Sequence, residues 1–333
     1  MKTLHDMDFN GKRVLMRVDF NVPMDDQDQI TDDIRIRMAQ PSMEYVLNKG
    51  AKLVLCSHMG RPEGKRAMEF SLKPVADHLA TILGRKVVLA PDCVGEETEK
   101  LVAAMKEGEV VLLENLRFHG QETENDDEFA GQLAKMADIY VNDAFAVSHR
   151  AHASVVGVAA HVAVKCGGFL LQTEMEFFHK AMDTPVRPLF ALVGGAKVSS
   201  KLGALQNMLD KVDGMVIGGA MANTFLRSQG VDMGASKIEE ELLETAREFI
   251  EAAEKKGVRL YFPVDFVVAD RFAVDAVVKN VTFRDIPKEW MALDIGPAST
   301  SYFQEAIGDA GTIVWNGPMG AFEMDPFARG TMA

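Results

Sequence analysis

Short runs of aliphatic and β-branched residues alternate with amphipathic stretches along almost the whole chain, and this alternation constrains the fold most strongly. The runs are continuously apolar, which is typical of strands that are covered on both faces. Helical patterns between them indicate βα units, which form parallel, doubly wound sheets. The predicted strands are Arg13–Val18, Lys52–Cys56, Lys86–Leu89, Val110–Leu113 and Asp138–Val141 in the first half, and Leu189–Val193, Gly214–Ile217, Val258–Phe262, Ala292–Ile295 and Thr312–Trp315 in the second.

The length of 333 residues favours two domains, since an ordinary domain has about 150 residues. We therefore predict an α/β fold of two doubly wound, Rossmann-like parallel-sheet domains joined by an interdomain helix. The predicted limits are 1–167 for the N-terminal domain, 168–184 for the interdomain helix or hinge, and 185–333 for the C-terminal domain.

Two helices are predicted in more detail. The helix Phe169–Met182 carries a wide apolar stripe, which favours burial between two domains; the stripe consists of Leu171, Met175, Phe178 and Met182. The helix Ser236–Gly257 has Glu239, Glu240 and Glu241 in its first turns and Lys255 and Lys256 in its last. This charge order is the one that the helix dipole favours.

The formal net charge of −13 argues against a general nucleic-acid binder, which would carry a basic face. No apolar run approaches the ~18–20 residues needed to cross a bilayer, and the start of the chain has no apolar signal segment. Cys56, Cys93 and Cys166 lack the spacing of a metal site or a disulfide framework, so we expect reduced thiols in a cytoplasmic protein. An anionic substrate would need a local concentration of positive charge, because the overall field repels it.

Such a concentration is predicted in the first half. In open parallel sheets, ligands bind beyond the carboxyl ends of the strands. Basic side chains follow several predicted strands there, and they are Arg35, His58, Arg61, Arg117 and Arg150. The arginine fork suits carboxylate and phosphate oxygens, so the set predicts a cradle for an oxyanion. Asp19 and Asn21, after the first strand, would orient hydroxyl groups.

Glycines follow the strands of the second half instead. They occur in Gly194-Gly195-Ala196-Lys197, Gly218-Gly219-Ala220, Gly296-Pro297 and Asn316-Gly317-Pro318. Glycine lets a backbone approach a ligand and present its N–H groups. Lys197 and Lys201 are four residues apart and would face one side if a helix starts there. The combination predicts a site for nucleotide phosphates, although neither GxxxxGK[ST] nor GxGxxG occurs.

Three alternatives stand beside this interpretation. Each arginine taken alone is more typical of a solvated loop, and Gly-Gly pairs after strands are explained about as often by tight βα turns. A nucleotide-dependent dehydrogenase would share the architecture, but it would carry a glycine fingerprint after the first strand. That loop reads Asp19-Phe20-Asn21-Val22-Pro23, so we set the dehydrogenase aside.

At these same residues the sequence closely resembles the phosphoglycerate kinase family. Several motifs carry the resemblance in the order of the family and over essentially the whole chain. They are Arg17-Val18-Asp19-Phe20-Asn21-Val22-Pro23, Ser57-His58-Met59-Gly60-Arg61-Pro62, Glu114-Asn115-Leu116-Arg117-Phe118, His149-Arg150-Ala151-His152-Ala153-Ser154, Gly194-Gly195-Ala196-Lys197-Val198, Asp294-Ile295-Gly296-Pro297, Trp315-Asn316-Gly317-Pro318 and Phe327-Ala328-Arg329-Gly330-Thr331.

The resemblance implies reversible phosphoryl transfer between 1,3-bisphosphoglycerate and ADP, with Mg²⁺, giving 3-phosphoglycerate and ATP. It implies Arg35 and Lys197 as catalytic residues. It places phosphoglycerate in the N-terminal domain, at Asp19, Asn21, Arg35, His58, Arg61, Arg117 and Arg150. It places the nucleotide in the C-terminal domain, at Gly195, Lys197, Lys201, Gly219, Gly296, Asn316, Gly317 and Glu323. It further implies hinge closure, a monomer, and neither nucleic-acid nor membrane partners.

The sequence departs from the family at its end. Family members usually continue for several dozen residues, and the aspartate that holds their metal would lie beyond Ala333. We therefore expect no metal ligand in this chain and a C-terminal domain that lacks its last elements. An alternative follows, in which a truncated chain binds 3-phosphoglycerate without efficient turnover.

Overall fold

The structure, a computed structural model, describes residues 2–25 and 27–333. The chain forms two compact units, the first reaching to Phe177 and the second running from Phe178 to Ala333. Each unit is built of βα elements around its own core, so the predicted α/β class with two domains is confirmed. The division falls inside the predicted interdomain segment 168–184, and the predicted limits of the domains stay a prediction.

The first unit contains one six-stranded sheet in the order β3-β4-β2-β1-β5-β6, and all its neighbouring strands are parallel. Its strands are β1 Arg13–Arg17, β2 Lys52–Cys56, β3 Val87–Leu89, β4 Val110–Leu112, β5 Ile139–Asn142 and β6 Val164–Gly167. The first five match predicted strands to within a residue at each end. The sixth was not predicted, because only Cys166 and Gly167 in it are buried.

Helices cover both faces of this sheet. Val14 and Met16 of β1 pack into one apolar cluster, and Leu15 between them packs into the other. Both faces are therefore buried, as the continuous apolar runs predicted. The helices are α1 Ile34–Asn48, α2 Lys73–Leu83, α3 Glu96–Ala103, α4 Gly120–Glu124, α5 Asp127–Ala134, α6 Val158–His161 and α7 Phe169–Met182. Short 3₁₀ turns lie at Leu4–Asp6, Met68–Phe70, Leu116–Phe118 and Phe145–Val147, and a π turn at Ala153–Gly157.

The helix α7 has the predicted span, but its apolar stripe is buried only at the start. Leu171 is 7% exposed, whereas Phe178 is 52% exposed. The buried start is bonded to the first unit: Phe169 N donates to Ser42 Oγ at 2.8 Å and Leu171 N donates to Asp143 Oδ1 at 3.1 Å. The expectation that the whole stripe is buried is wrong.

The second unit has a four-stranded parallel sheet in the order β13-β7-β8-β9. Its strands are β7 Leu189–Val193, β8 Gly214–Ile217, β9 Arg259–Tyr261 and β13 Thr312–Asn316. Its helices are α8 Leu202–Met208, α9 Gly219–Ser228, α10 Leu243–Lys255, α11 Pro297–Ile307 and α12 Arg329–Met332, with 3₁₀ turns at Glu240–Leu242 and Asp325–Phe327. No helix in the described part of the chain is long and apolar enough to span a membrane.

The predicted strand Ala292–Ile295 does not belong to this parallel sheet. It forms β12 (Met291–Ile295), which pairs antiparallel with β10 (Asp265–Ala269) in a separate three-stranded sheet, β11-β10-β12. The third strand is β11 (Val278–Thr282), antiparallel to β10. β11 was not predicted, since it is mostly exposed and polar. β10 was also missed, although Phe266–Ala269 form a short apolar run.

The predicted helix Ser236–Gly257 begins later than its sequence pattern indicates. Tertiary contacts hold residues 236–239 outside the helix. Ser236 Oγ accepts a hydrogen bond of 2.9 Å from Ala292 N, and the Glu239 carboxylate accepts one of 2.5 Å from Ser199 Oγ. Glu239 therefore caps the segment before α8 rather than the first turn of α10.

Candidate functional site

Three of the predicted arginines converge on one cavity. Arg61 follows β2, Arg117 follows β4 and Arg150 follows β5, and all three line a cavity of about 400 Å³ in the first unit. His152 lines it as well. The parallel sheet thus gathers three of the five basic residues for which the strand-end argument predicted one crevice. Arg35 and His58 are not among the residues that line this cavity.

The Asn115 side chain fixes the loop that carries Arg117. Its Oδ1 accepts from Met59 N at 3.2 Å and from Arg117 N at 3.0 Å, and its Nδ2 donates to Met59 O at 2.8 Å. Arg117 Nη1 then donates to Gly60 O at 2.7 Å. Burial, together with the charge of Arg150, lowers the pKa of Arg117 from its usual value. The loops after β2 and β4 are therefore joined into one rigid wall.

The residues after β1 form the next part of the site. Arg35, in the first turn of α1, places Nη1 2.5 Å from Asp19 Oδ2. Asn21 Oδ1 accepts a hydrogen bond of 2.8 Å from Gly60 N. The Asp19 side chain is almost buried, so the pair with Arg35 compensates its charge.

His58 is the second residue after β2 and is only 4% exposed. Burial, with the positive charges of Arg17, Arg117 and Arg150, lowers the pKa of His58 to about 2. The imidazole is therefore neutral, and the 3.9 Å between its Nδ1 and Asp19 Oδ1 is not an ion pair. The site therefore combines several permanent cations, a neutral histidine and the carboxylate of Asp19.

Sequence reasoning missed Arg17 as a member of the site. It is the last residue of β1 and is 0% exposed, and its Nη2 lies 3.1 Å from His58 Nδ1. A charged residue inside an apolar strand was the available signal, because such a residue must find buried partners. Ser154, which accepts a hydrogen bond from Arg17, and Glu122, which accepts from Ser154, were likewise not predicted.

In the second unit, Lys201 holds two strand-end loops together. Its Nζ donates to Gly194 O at 2.6 Å, to Asn316 O at 3.0 Å and to Asn316 Oδ1 at 2.5 Å. Burial lowers the pKa of Lys201 from its usual value. Gly317 lies in the left-handed region, with φ of 91°. A Cβ there would lie 2.4 Å from Gly194 O, so this close approach requires glycine.

No helix begins at Lys197, so the condition under which Lys197 and Lys201 would face one side is not met. α8 begins at Leu202, and the N–H groups of Val198 and Ser199 donate to the Glu239 carboxylate instead. Lys197 is exposed, whereas Lys201 is part-buried. The two lysines therefore have different environments rather than one shared helix face.

A second cavity, of about 510 Å³, lies in the second unit, and three predicted nucleotide residues line it: Gly195, Gly219 and Glu323. Much of the remaining lining is apolar and was not predicted; it includes Ala220, Phe272, Leu293, Pro318 and Ala321. Such a lining suits a planar base better than a phosphate.

The other predicted nucleotide residues are not among those that line this cavity: Lys197, Lys201, Gly296, Asn316 and Gly317. Gly296 precedes α11, whose first amides are already capped. Ala298 N and Ser299 N donate to the Asp265 carboxylate at 3.0 and 2.7 Å. The predicted roles of Gly296 and Asn316 in nucleotide binding stay predictions.

The side chains present do not form an obvious Mg²⁺ site. Within residues 2–25 and 27–333, one group of three potential ligands has its atoms within 4.8 Å of one another: Asp92, Cys93 and His119. This group lies in the first unit and includes a thiol, whereas Mg²⁺ prefers oxygen ligands.

Comparisons with known proteins agree over the whole length. A family model described as phosphoglycerate kinase matches residues 4–333. The phosphoglycerate kinase of Desulfotalea psychrophila is 68% identical over 333 residues, which are 100% of this chain and 85% of that protein. The phosphoglycerate kinase of Desulforapulum autotrophicum is 54% identical over 331 residues, 99% of this chain and 85% of that protein.

Solved structures of phosphoglycerate kinases also match this chain over almost its whole length. The structure of phosphoglycerate kinase from Coxiella burnetii has a TM-score of 0.82 at 41% identity, covering 99% of this chain and 83% of that one. The crystal structure of phosphoglycerate kinase from Pyrococcus horikoshii has a TM-score of 0.87 at 32% identity, covering 100% of this chain and 84% of that one. The similarity therefore includes both units.

Proposed function

The chain belongs to the phosphoglycerate kinase family, and from this premise we propose that it transfers a phosphoryl group reversibly between 1,3-bisphosphoglycerate and ADP, giving 3-phosphoglycerate and ATP. Members of the family are kinases of glycolysis that use ATP and ADP. One observation carries the proposal: Arg61, Arg117 and Arg150 line one cavity, against the two carboxylates of Glu63 and Glu124, in a protein whose formal net charge is −13. Three permanent cations favour a ligand with several anionic oxygens.

We assign phosphoglycerate to the first unit. Its phosphate and carboxylate would pair with the arginines of the 400 Å³ cavity, each charge-assisted bond contributing about 1.5–3 kcal/mol. Asp19 and Asn21 would orient the hydroxyl group, and His58 would add a neutral donor. Arg35, held at 2.5 Å by Asp19, is the cation we assign to the transferring group.

We assign the nucleotide to the second unit. The apolar 510 Å³ cavity would take the base, with Glu323 at the ribose and Gly195 and Gly219 beside the sugar and phosphates. Lys201, Gly296, Asn316 and Gly317 would order the phosphate-side loops. Lys197 is exposed and unconstrained by a helix, so its ammonium group is free to follow the phosphoryl group.

The chemistry needs cations rather than a base. An oxygen of the ADP β-phosphate attacks the phosphorus of the acyl phosphate, and the bond between that phosphorus and the carboxylate oxygen breaks. Both the attacking and the leaving oxygens are anionic, so no proton must be removed. Arg35 and Lys197 would neutralise the charge that spreads over the transferring group.

Further properties complete the proposal. Mg²⁺ would enter with the nucleotide, bound by its phosphates, because a protein cage of oxygen ligands is not evident among the described side chains. We propose a cytoplasmic monomer without nucleic-acid or membrane partners. The alternative of a chain that binds phosphoglycerate without efficient turnover has no support from its relatives, which are named as the enzyme.

Two measurements test the proposal. Calorimetry with 3-phosphoglycerate and with ADP should give one site for each, and a coupled assay should give ATP formation from 1,3-bisphosphoglycerate. Arg117→Ala should abolish the phosphoglycerate heat and leave the ADP heat unchanged. Binding of 3-phosphoglycerate that is insensitive to this substitution would contradict the assignment of the cavity.

A further inference from the structure

We infer that Arg17, held by Ser154 and Glu122, is a positioning residue that keeps His58 in the tautomer with its proton on Nε2. This inference rests on the proposed function for its consequence, since His58 is assigned to phosphoglycerate. It adds three buried residues to the site and fixes the proton on each group of the network.

The network begins at the Glu122 carboxylate. Ser154 Oγ donates to Glu122 Oε1 at 2.6 Å, and Ser154 N donates to Glu122 Oε2 at 2.9 Å. Arg17 Nε donates to the same Ser154 Oγ at 2.9 Å. A hydroxyl has one proton, and arginine can only donate. The hydroxyl proton of Ser154 is therefore donated to Glu122, and the Ser154 oxygen accepts the hydrogen bond from Arg17 Nε.

Arg17, held in place by Ser154, determines which nitrogen of His58 carries the proton. Its Nη1 donates to Val18 O, and its Nη2 lies 3.1 Å from His58 Nδ1. Because a guanidinium offers no lone pair, Nδ1 must accept, and a neutral imidazole then carries its proton on Nε2. The geometry alone settles the tautomer.

Burial keeps the network in this one arrangement. Arg17, Glu122 and Ser154 are each 0% exposed. A buried cation and a buried anion are tolerated when hydrogen bonds connect them to compensating partners, and here the serine hydroxyl bridges Arg17 and Glu122. Reversing the Ser154 hydroxyl would leave Arg17 Nε without an acceptor, which is costly without water.

The other charged or titratable groups around His58 favour the same neutral state. Arg117, Arg150 and His152 act on it from the loops after β4 and β5, and Asp19 Oδ1 is 3.9 Å from Nδ1. The cations outnumber the one carboxylate, and Asp19 is already paired with Arg35. His58 thus offers one N–H donor at Nε2, suited to an oxygen of phosphoglycerate, and neither a charge nor a base.

The direct test is ¹⁵N NMR of the imidazoles in ligand-free protein labelled with ¹⁵N-histidine, with the His58 signal identified by its loss in His58→Gln. We expect the neutral Nε2–H pattern, unchanged from about pH 5.5 to 8. A proton on Nδ1, or titration of His58 in this range, would overturn the inference.

Two variants test the network that holds Arg17. Ser154→Ala removes the bridging hydroxyl and should let His58 populate both tautomers, with KM for 3-phosphoglycerate raised about tenfold and KM for ATP unchanged. Ser154→Thr keeps the hydroxyl and should retain the wild-type tautomer and KM. An unchanged tautomer and KM in Ser154→Ala would overturn the role of the network.

The inference about the His58 tautomer and the proposed function can be contradicted independently of each other. A wild-type protein that shows the Nε2–H tautomer but does not bind 3-phosphoglycerate would overturn the proposed function and the role of His58 in substrate binding. A protein that binds 3-phosphoglycerate with His58 protonated on Nδ1 would overturn the positioning role of Arg17 alone.

Discussion

Arg17 Nη2 lies 3.1 Å from Nδ1 of His58, so a permanent cation and a neutral imidazole are in direct contact at the buried end of β1. Arginine does not lose its proton in proteins, so the histidine must remain the neutral partner. This relationship ties the electrostatics of the site to the stability of the first unit.

His58 should make the first unit sensitive to acid. An unfolded histidine has a pKa of about 6.5, whereas burial and the neighbouring arginines lower the pKa of folded His58 to about 2. As the pH falls below about 6.5, only the unfolded state takes up the proton, so stability is lost. His58→Gln should reduce the loss between about pH 7 and 5 by about 2 kcal/mol.

Hydrogen exchange of the β1 and β2 amides measures this effect in the first unit. His179→Gln changes an exposed histidine and serves as the control, for which the acid sensitivity should stay at the wild-type value. If His58→Gln is as sensitive to acid as wild type, His58 does not stay neutral in the folded state.

Gly60→Ala should disrupt the wall of the phosphoglycerate cavity. Gly60 has φ of 58°, and a Cβ there would lie 2.4 Å from the Phe70 ring. Gly84→Ala is a matched control, with φ of 59° and nothing within 4 Å of its Cβ. We expect the control to cost about 1 kcal/mol from backbone strain, and Gly60→Ala about 2–4 kcal/mol.

Urea unfolding of the two glycine variants, followed by circular dichroism, gives the comparison. Only Gly60→Ala should also weaken binding of 3-phosphoglycerate, because the Gly60 carbonyl oxygen accepts a hydrogen bond from Arg117 Nη1. Equal destabilisation by the two substitutions would mean that Phe70 moves aside and that the wall is not rigid.

Substitution of Lys201 should mainly lower the stability of the second unit, whereas substitution of Lys197 should mainly lower kcat. Lys201→Met removes three hydrogen bonds between the loops after β7 and β13 and should lower the free energy of unfolding by about 3 kcal/mol. Lys197→Met changes an exposed side chain and should stay within about 0.5 kcal/mol, yet lower kcat about 100-fold.

Tryptophan fluorescence reports on the relevant unit, since Trp290 and Trp315 are its two tryptophans. Urea unfolding by this signal measures stability, and the coupled assay measures kcat. A destabilising Lys197→Met, or a Lys201→Met as stable as wild type, would contradict the contacts described for these lysines.

Ala321→Trp should block the apolar cavity of the second unit. The new indole would occupy space that we assign to the base, so ADP binding should fall at least about 30-fold while 3-phosphoglycerate binding is unchanged. Ala104→Trp, at an exposed position after α3, is the control. Calorimetry with each ligand checks both, and undiminished ADP binding in Ala321→Trp would place the base elsewhere.

Much of the first unit was predictable because its signals are local. The continuous apolar runs located β1 to β5, and the segments directly after β2 and β4 supplied Arg61 and Arg117 of the cavity. Parallel strands bring such residues to one edge whatever their separation along the chain. The convergence of Arg61, Arg117 and Arg150 on one cavity followed from that rule.

What escaped prediction depends on contacts between distant residues. Arg17 and Ser154 are 137 positions apart, and no local pattern links them. Glu239 reads as the first turn of a helix, but its carboxylate caps residues 198 and 199. β11 is exposed along most of its length, so it has no apolar run to detect. In each case tertiary pairing overrides local propensity.

The most direct test of the account is the effect of Arg35→Ala on turnover and on nucleotide affinity, measured by the coupled assay and by ADP calorimetry. Arg37→Ala, in the same helix and paired with Asp33, is the control. The account predicts that Arg35→Ala lowers kcat/KM about 100- to 1,000-fold while the Kd for ADP changes less than about twofold. Lost ADP binding, or turnover as fast as in Arg37→Ala, would contradict it.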